Sequence, residues 1–177
     1  MPIVRSSCSA DLPAIAGIYS HHVRHDTGTF EIDPPTEREM GARRPEVLAR
    51  GLPYLVAEHD RQVVGYAYCN WFRPLPVCRF SAEDSVYLDL QAQGRGLGRT
   101  LLAERVTASE RAGVLKLIAV IGDSENLASV RLHQRLRFAA VGVLKSCGFK
   151  FERWLDVVLM GRASARTKRA TPASESV

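Results

Sequence analysis

The chain has 177 residues, 46% of them hydrophobic and 24% charged, with a net charge of +5 and a pI near 9.3. That length and balance fit one domain with a sizeable core and a short tail. No run approaches the ~18 apolar residues of a membrane span, and the opening "MPIVRSSCSADLP" lacks a signal peptide's apolar stretch, so a soluble cytoplasmic protein without a membrane partner is expected.

In chain order, "PIVR" (2–5) reads as a first strand. Asp11 and Pro13 open a helix through about Val23, with Leu12, Ile15, Ile18, Tyr19 and His22 on one stripe. "GTFE" (28–31) is a loop or short extended piece. Thr36 and Glu39 form a capping box for a second helix, expected to bend or divide near Pro45. Residues 53–71 read as two strands joined at Asp60-Arg61-Gln62, and 73–79, with two prolines, as loop. "EDSVYLDL" (83–90) alternates, with Val86, Leu88 and Leu90 facing one way and Tyr87 and Asp89 the other. A glycine stretch follows, then a helix from about Leu97 to Ala112. "VLKLIAVIG" (114–122) is a continuous apolar run typical of a buried central strand. Residues 124–138 read as a helix, and 139–145 and 152–160 as two closing strands. Strands early and alternation later give an α/β (α+β) sheet with helices on its faces. Residues 1–162 form one domain; 163–177, with Arg166, Lys168 and Arg169, are small, polar and aperiodic, and disorder is expected there. Cys8, Cys69, Cys78 and Cys147 have neither C-x-x-C nor zinc spacing, so free thiols and no metal site are expected.

The glycine stretch, "QAQGRGLGRTLL" (91–102), carries chemistry. A strand, a glycine turn and a helix N-terminus together present outward amides and the positive end of a helix dipole to an anion. Arg95 and Arg99 add charge, and the basic balance suits an anionic ligand. The nucleotide fingerprints do not fit. No lysine follows Gly98 as a P-loop requires, and the third Rossmann glycine falls on Arg99 or Leu101.

The fitting pattern is Q-x-x-G-x-G, Gln93 to Gly98, after the strand "SVYLDL". It resembles the acetyl-CoA signature of the GNAT superfamily of N-acetyltransferases. "NLASVRLHQRLRF" is similar to that superfamily's second motif, with Arg137 where the family usually has glycine. "TGTFE", "PYLVAE", "VGYAY", "AEDSVYL", "AVIGDSENLASVRLH" and "KFERWLDVVLM" resemble, in order, the phosphinothricin and L-amino-acid N-acetyltransferase branch over residues 3–160.

The resemblance implies a mixed, mostly antiparallel sheet of six or seven strands flanked by helices on both faces. It implies acetyl-CoA as co-substrate and direct attack by a small amine in a ternary complex. Val86, Tyr87 and Leu88 would offer main-chain groups to the pantetheine arm and thioester. Gly94, Arg95, Gly96, Leu97, Gly98 and Arg99 would hold the pyrophosphate, with Asn126 and Ser129 meeting the cofactor elsewhere. Glu83 is the candidate base, with Asp84 its neighbouring rival; the alternative for Glu83 is a solvated residue at a strand start. His133, seven after Asn126, is the candidate donor to the departing sulfur or a proton relay, with core packing the alternative. Arg73, Pro74 and Leu75, with Asp84 and Ser85, are the candidate acceptor contacts, a cation being needed for a carboxylate. Phe30, Trp71 and Phe72 wall the pocket or pack the core, Trp154 packs, and His21, His22, His25 and His59 are structural. The implied function is acetyl transfer to the α-amine of a small amino acid or analogue such as phosphinothricin or methionine sulfoximine. Peptide or protein acetylation and non-catalytic acyl-CoA binding are the alternatives. A homodimer with the late strands at its interface is expected, with no nucleic-acid partner.

Overall fold

The alternating and apolar stretches become strands β1 (Ile3–Ser6), β2 (Tyr54–His59), β3 (Gln62–Trp71), β4 (Ser81–Leu88), β5 (Lys116–Gly122), β6 (Ala139–Lys150) and β7 (Arg153–Ala163). The helices are α1 (Leu12–His25), α2 (Glu37–Ala49), α3 (Leu97–Arg111) and α4 (Leu127–Arg135). This is a computed structural model describing residues 2–73 and 75–165. The strands form one sheet in the order β1-β2-β3-β4-β5-β7-β6, parallel at β4–β5 and antiparallel elsewhere.

Local chemistry explains most boundaries. The Thr36 hydroxyl accepts from the Glu39 amide at 3.2 Å, and the Glu39 carboxylate accepts from the Thr36 amide at 2.6 Å. Pro45 lies inside α2 without dividing it, because Met40 and Val47 on either side are buried and hold the helix to the sheet. Asp60 and Arg61 both have positive φ, the two-residue hairpin turn whose twist matches the strands, so Gln62 belongs to β3. β4 ends at Leu88, and Leu90 is exposed in a short turn where the Asp89 carboxylate accepts from the Gln91 amide, so Leu90 does not share a face with Val86 and Leu88. α4 is shorter than expected at both ends. Asn126 caps its start by accepting from the Ser129 amide, and Arg137 ends it in the left-handed region at φ 65°. β6 extends to Lys150 across an irregularity between Leu144 and Gly148. β7 reaches Ala163, where the Ser164 amide donates to Leu115 O; residues 166–177 of the expected tail lie outside the described residues.

The helices cover both faces. Tyr19 of α1 packs edge-on against Tyr87 of β4, and Tyr54, Tyr66 and Tyr68 stack across β2 and β3 on that face. On the other face Asp84 turns toward α3 and α4. Its Oδ2 lies 2.8 Å from Arg105 Nη2 and 3.1 Å from His133 Nε2, all three side chains being 3% exposed or less. Burial alone would push the Asp84 carboxyl up. The Arg105 charge and the His133 bond outweigh it and hold the group below the usual carboxylate range.

Arg105→Met leaves a buried anion with one partner and costs about 3–5 kcal/mol in denaturant unfolding. Because the depressed Asp84 group contributes stability above its own pKa and loses it as pH falls through that value, the same variant unfolds at a higher pH on acidification. Adding Asp84→Asn restores part of the loss; no recovery in the double variant would show that Arg105 acts by packing alone. Arg137→Gly removes left-handed strain of about 1 kcal/mol and raises Tm by roughly 2–4 °C in a thermal scan.

Candidate active site

β4 pairs with β3 along its length, from Trp71↔Ala82 to Gly65↔Leu88, but with β5 only from Ser81↔Lys116 to Asp84↔Ala119. Beyond Asp84 the neighbours part, and β5 continues to Gly122 on β7 alone. The Phe72 amide donates to Ser81 O and the Asp89 amide to Val64 O, so odd-numbered residues of this strand bond to β3. The even-numbered ones, Val86 and Leu88, therefore turn their main-chain groups into the gap. Tyr87 turns its own to β3 and contributes its ring to the α1 face, so its expected main-chain role toward a ligand does not fit the pairing.

A cleft of about 1010 Å³ runs through this gap. One mouth is lined by Gln93, Gly94, Gly96, Gly98, Arg99, the α4 cap Asn126 and the α4 residues Ser129, Arg131 and Arg135. Gly94 and Gly96 have φ near 73° and 80°, and a Cβ on either would point into open space. Gly96 immediately precedes α3, and among the described residues no main-chain carbonyl accepts from the amides of residues 94–98. These amides and the helix dipole form an anion cradle. Gly98 permits close packing, since a Cβ there would stand 3.0 Å from the Leu88 side chain. Leu97 is buried and Arg95 exposed, and neither side chain lines the cleft.

The other mouth lies on the α1 face, lined by Tyr19, the segment 26–31, Tyr68, Glu83 and Ser85, with Asp123 and Arg153 nearby. Glu83 is half-buried, and among the described residues its carboxylate has no hydrogen-bond or ionic partner. Burial, and then the adjacent Asp84 charge, push its pKa up. Burial pushes the Tyr68 phenol up, and the neighbouring Ser85 hydroxyl lowers it in part. The Tyr19 hydroxyl is 2.7 Å from Thr29 Oγ1 and donates to Glu31 at 2.9 Å, which fixes the segment following α1.

The structure thus brings Glu83, Ser85, Val86, Tyr87, Leu88, Gly94, Gly96, Gly98, Arg99, Asn126 and Ser129 to one cleft, Tyr87 through its ring and not its main chain. Asp84 and His133 border it but are committed elsewhere. Asp84 is locked in its ion cluster on the face opposite Glu83, which removes it as rival base and as acceptor contact. His133 donates from Nδ1 to Ser129 O at 2.8 Å and meets Asp84 with Nε2, so neither nitrogen is free to serve a departing sulfur. Arg73 and Leu75 are exposed and outside the cleft, Arg73 lying over the Phe72 ring. Pro74 is outside the described residues. Phe30 lines the cleft, whereas Trp71 and Phe72 do not, and Trp154 is exposed, with an edge contact to Phe149. The reading of the sequence missed Arg131, Arg135, Arg153 and the lining role of His22 and Asp26. The last two sit on or just after the α1 stripe, where a histidine has the pattern of a core residue.

Comparison with known proteins agrees with this geometry. The chain matches the acetyltransferase (GNAT) family over residues 16–138. It is 53% identical over 152 residues to a phosphinothricin N-acetyltransferase of Alcaligenes faecalis, covering 86% of this chain and 77% of that one. It is 35% identical over 158 residues to an L-methionine sulfoximine/L-methionine sulfone acetyltransferase of Salmonella typhimurium, covering 89% and 91%. A phosphinothricin acetyltransferase from Sinorhizobium meliloti, solved with acetyl-CoA, superposes with a TM-score of 0.94 at 38% identity, covering 97% of this chain and 93% of that one. With the forked sheet and the glycine cradle at its mouth, these matches place the chain in the GNAT family of acetyltransferases.

Proposed function

We propose that the protein transfers the acetyl group of acetyl-CoA to the α-amine of a small amino acid or analogue of the phosphinothricin or methionine sulfoximine type. The observation that carries this reading is the cleft through the sheet, which joins an anion cradle on one face to an unpartnered carboxylate on the other. The amides of 94–98 hold the pyrophosphate, and Arg99, Arg131 and Arg135 add charge at that mouth. The gap-facing groups of Val86 and the Leu88 amide pair with the pantetheine arm, as a strand would, the Leu88 carbonyl being taken by His22. Glu83 takes the amine's proton directly or through a water, and the freed nitrogen attacks the thioester carbonyl. The adduct's C–S bond then breaks, and the departing thiolate takes up the second proton that the nitrogen sheds as the amide forms. His133 acts as a positioning residue, holding Asp84 and so the fork of the sheet. For the acceptor's carboxylate the cleft offers Arg153, which also pairs with Asp123, in place of Arg73.

A homodimer accompanies this reading. The outer strand β6 exposes Val141, Val143, Leu144 and Phe149, an apolar edge that a second copy would cover. Sedimentation is expected to give twice the 19.6 kDa chain mass; a monomer at working concentration ends this part of the proposal. A cytoplasmic location suits a reaction drawing on acetyl-CoA by a chain whose cysteines are free.

The direct test is acetyl-CoA turnover against free amino acids, phosphinothricin, methionine sulfoximine and short peptides. Turnover of the small analogues is expected; preference for peptides favours protein modification, and thioester left unconsumed favours a binding module. Glu83→Gln is expected to leave acetyl-CoA affinity unchanged and lower kcat by about a hundredfold or more. Since a base works only when deprotonated, the wild-type rate rises with pH through the elevated Glu83 pKa. That limb disappears in the Gln variant, and a wild-type profile there removes Glu83 from the role.

A further inference from the structure

His22 lies on α1, 7% exposed, and lines the cleft. Its Nε2 donates to Leu88 O at 2.8 Å, and its Nδ1 makes a short contact with Asp26 Oδ2. Leu88 is the last residue of β4, and the amide on the other side of the same peptide, that of Asp89, donates to Val64 O at 2.9 Å. The peptide at which β4 leaves the sheet is therefore held at both its oxygen and its nitrogen. The glycine cradle begins a few residues later, so this peptide sets the cradle's position relative to the gap-facing strand edge.

Asp26 carries the link onward. Its Oδ1 accepts from the Gly28 amide at 2.7 Å. Lys150, from β6, donates to Asp26 O at 2.9 Å and to Thr29 O at 3.0 Å. The segment lies so close to the end of β5 that a Cβ on Gly122 would stand 2.1 Å from Thr27 O. Residues 26–31 are thus a built wall of the Glu83 mouth, pinned from three elements.

We propose that His22 is a positioning residue that ties the strand edge and cradle holding acetyl-CoA to the wall of the acceptor mouth. The assignment rests on the acetyl-transfer reading above. Both atoms facing the ring, a carbonyl and a carboxylate oxygen, are acceptors, so both contacts are hydrogen bonds only when the ring carries two protons. The groups around it are Asp26 at the end of its own helix, Asp89 beyond β4, the Tyr87 ring at 5.4 Å, the His21 ring at 5.9 Å, and Lys150 behind Asp26. Burial opposes the charged ring, but Asp26 outweighs it and the His22 pKa is raised. As pH rises through that value one bond is lost and the tie loosens.

The test compares the wild type with His22→Gln and His22→Phe. Calorimetry gives the acetyl-CoA Kd, and steady-state rates give the acceptor KM between about pH 6 and 9. Gln keeps a donor for Leu88 O but cannot titrate. Its Kd is expected to match the wild type, with the acceptor KM raised about fivefold and free of the wild-type alkaline rise beyond that due to the amine itself. Phe loses both bonds and is expected to weaken acetyl-CoA about fivefold as well. An unchanged alkaline rise in the Gln variant, or equal Kd values in all three proteins, overturns the assignment. If Phe fails to fold, the Gln profile decides. Because the Kd needs no turnover, a wild type that binds acetyl-CoA and acetylates nothing faults the functional reading and leaves this one measurable.

Discussion

The parting of β4 from β5 after Asp84 governs this molecule. A parallel pair ordinarily continues until one strand ends, because unpaired amides and carbonyls inside a sheet are costly. Here β4 runs on through Leu88 along β3 while β5 follows β7, so Val86 and the Leu88 amide present edge groups in the middle of a seven-stranded sheet. An edge inside a sheet is a binding site for something shaped like a strand, and the amide-bearing pantetheine arm has that shape. The same opening lets residues of both faces line one cleft, so the two ends of a long ligand lying in it would meet different sets of side chains.

A fork of this kind needs an anchor at its branch point. Asp84 is the last residue paired to both neighbours, and it is the one that turns inward to Arg105 of α3 and His133 of α4. The cluster binds the branch point to the two helices that bracket the cradle. A buried ion pair is a poor source of net stability, yet it is demanding about geometry, which suits a place where register decides function. On the opposite face, the aromatic stack of Tyr54, Tyr66, Tyr68 and Tyr87 stiffens the continuous side of the fork.

Much of this was legible in the residues. The seven strands, the four helices, the capping box and the cradle follow from alternation, apolar runs and glycines placed where left-handed backbone is needed. The fork was not, because nothing in "AEDSVYLDL" records where pairing with a strand thirty residues away stops. Alternation separates Glu83 from Asp84 by face, but only the position of Arg105, a charged residue on the buried stripe of α3 with Leu101 and Leu102, says which carboxylate is buried in a pair. The segment 26–31 has no periodicity, so its role as a wall comes from tertiary contacts with Gly122 and Lys150. Arg137 shows the reverse case. The departure from the family's glycine was visible, and its physical meaning, a left-handed residue closing α4, became plain once the backbone was seen.

The adjacent carboxylates show how one strand divides two tasks. Asp84 is fully buried, yet it is held below the ordinary range because a guanidinium and an imidazole face it. Glu83 is less buried, has no cation paired with it among the described residues, and is pushed up by burial and by its neighbour's charge. Were Asp84 to protonate, it would lose its hold on the helices and also relieve the repulsion that raises Glu83. The structural anion and the candidate base are therefore coupled: keeping Asp84 ionised sustains the fork and moves Glu83 toward the pH at which a base both accepts and releases a proton readily.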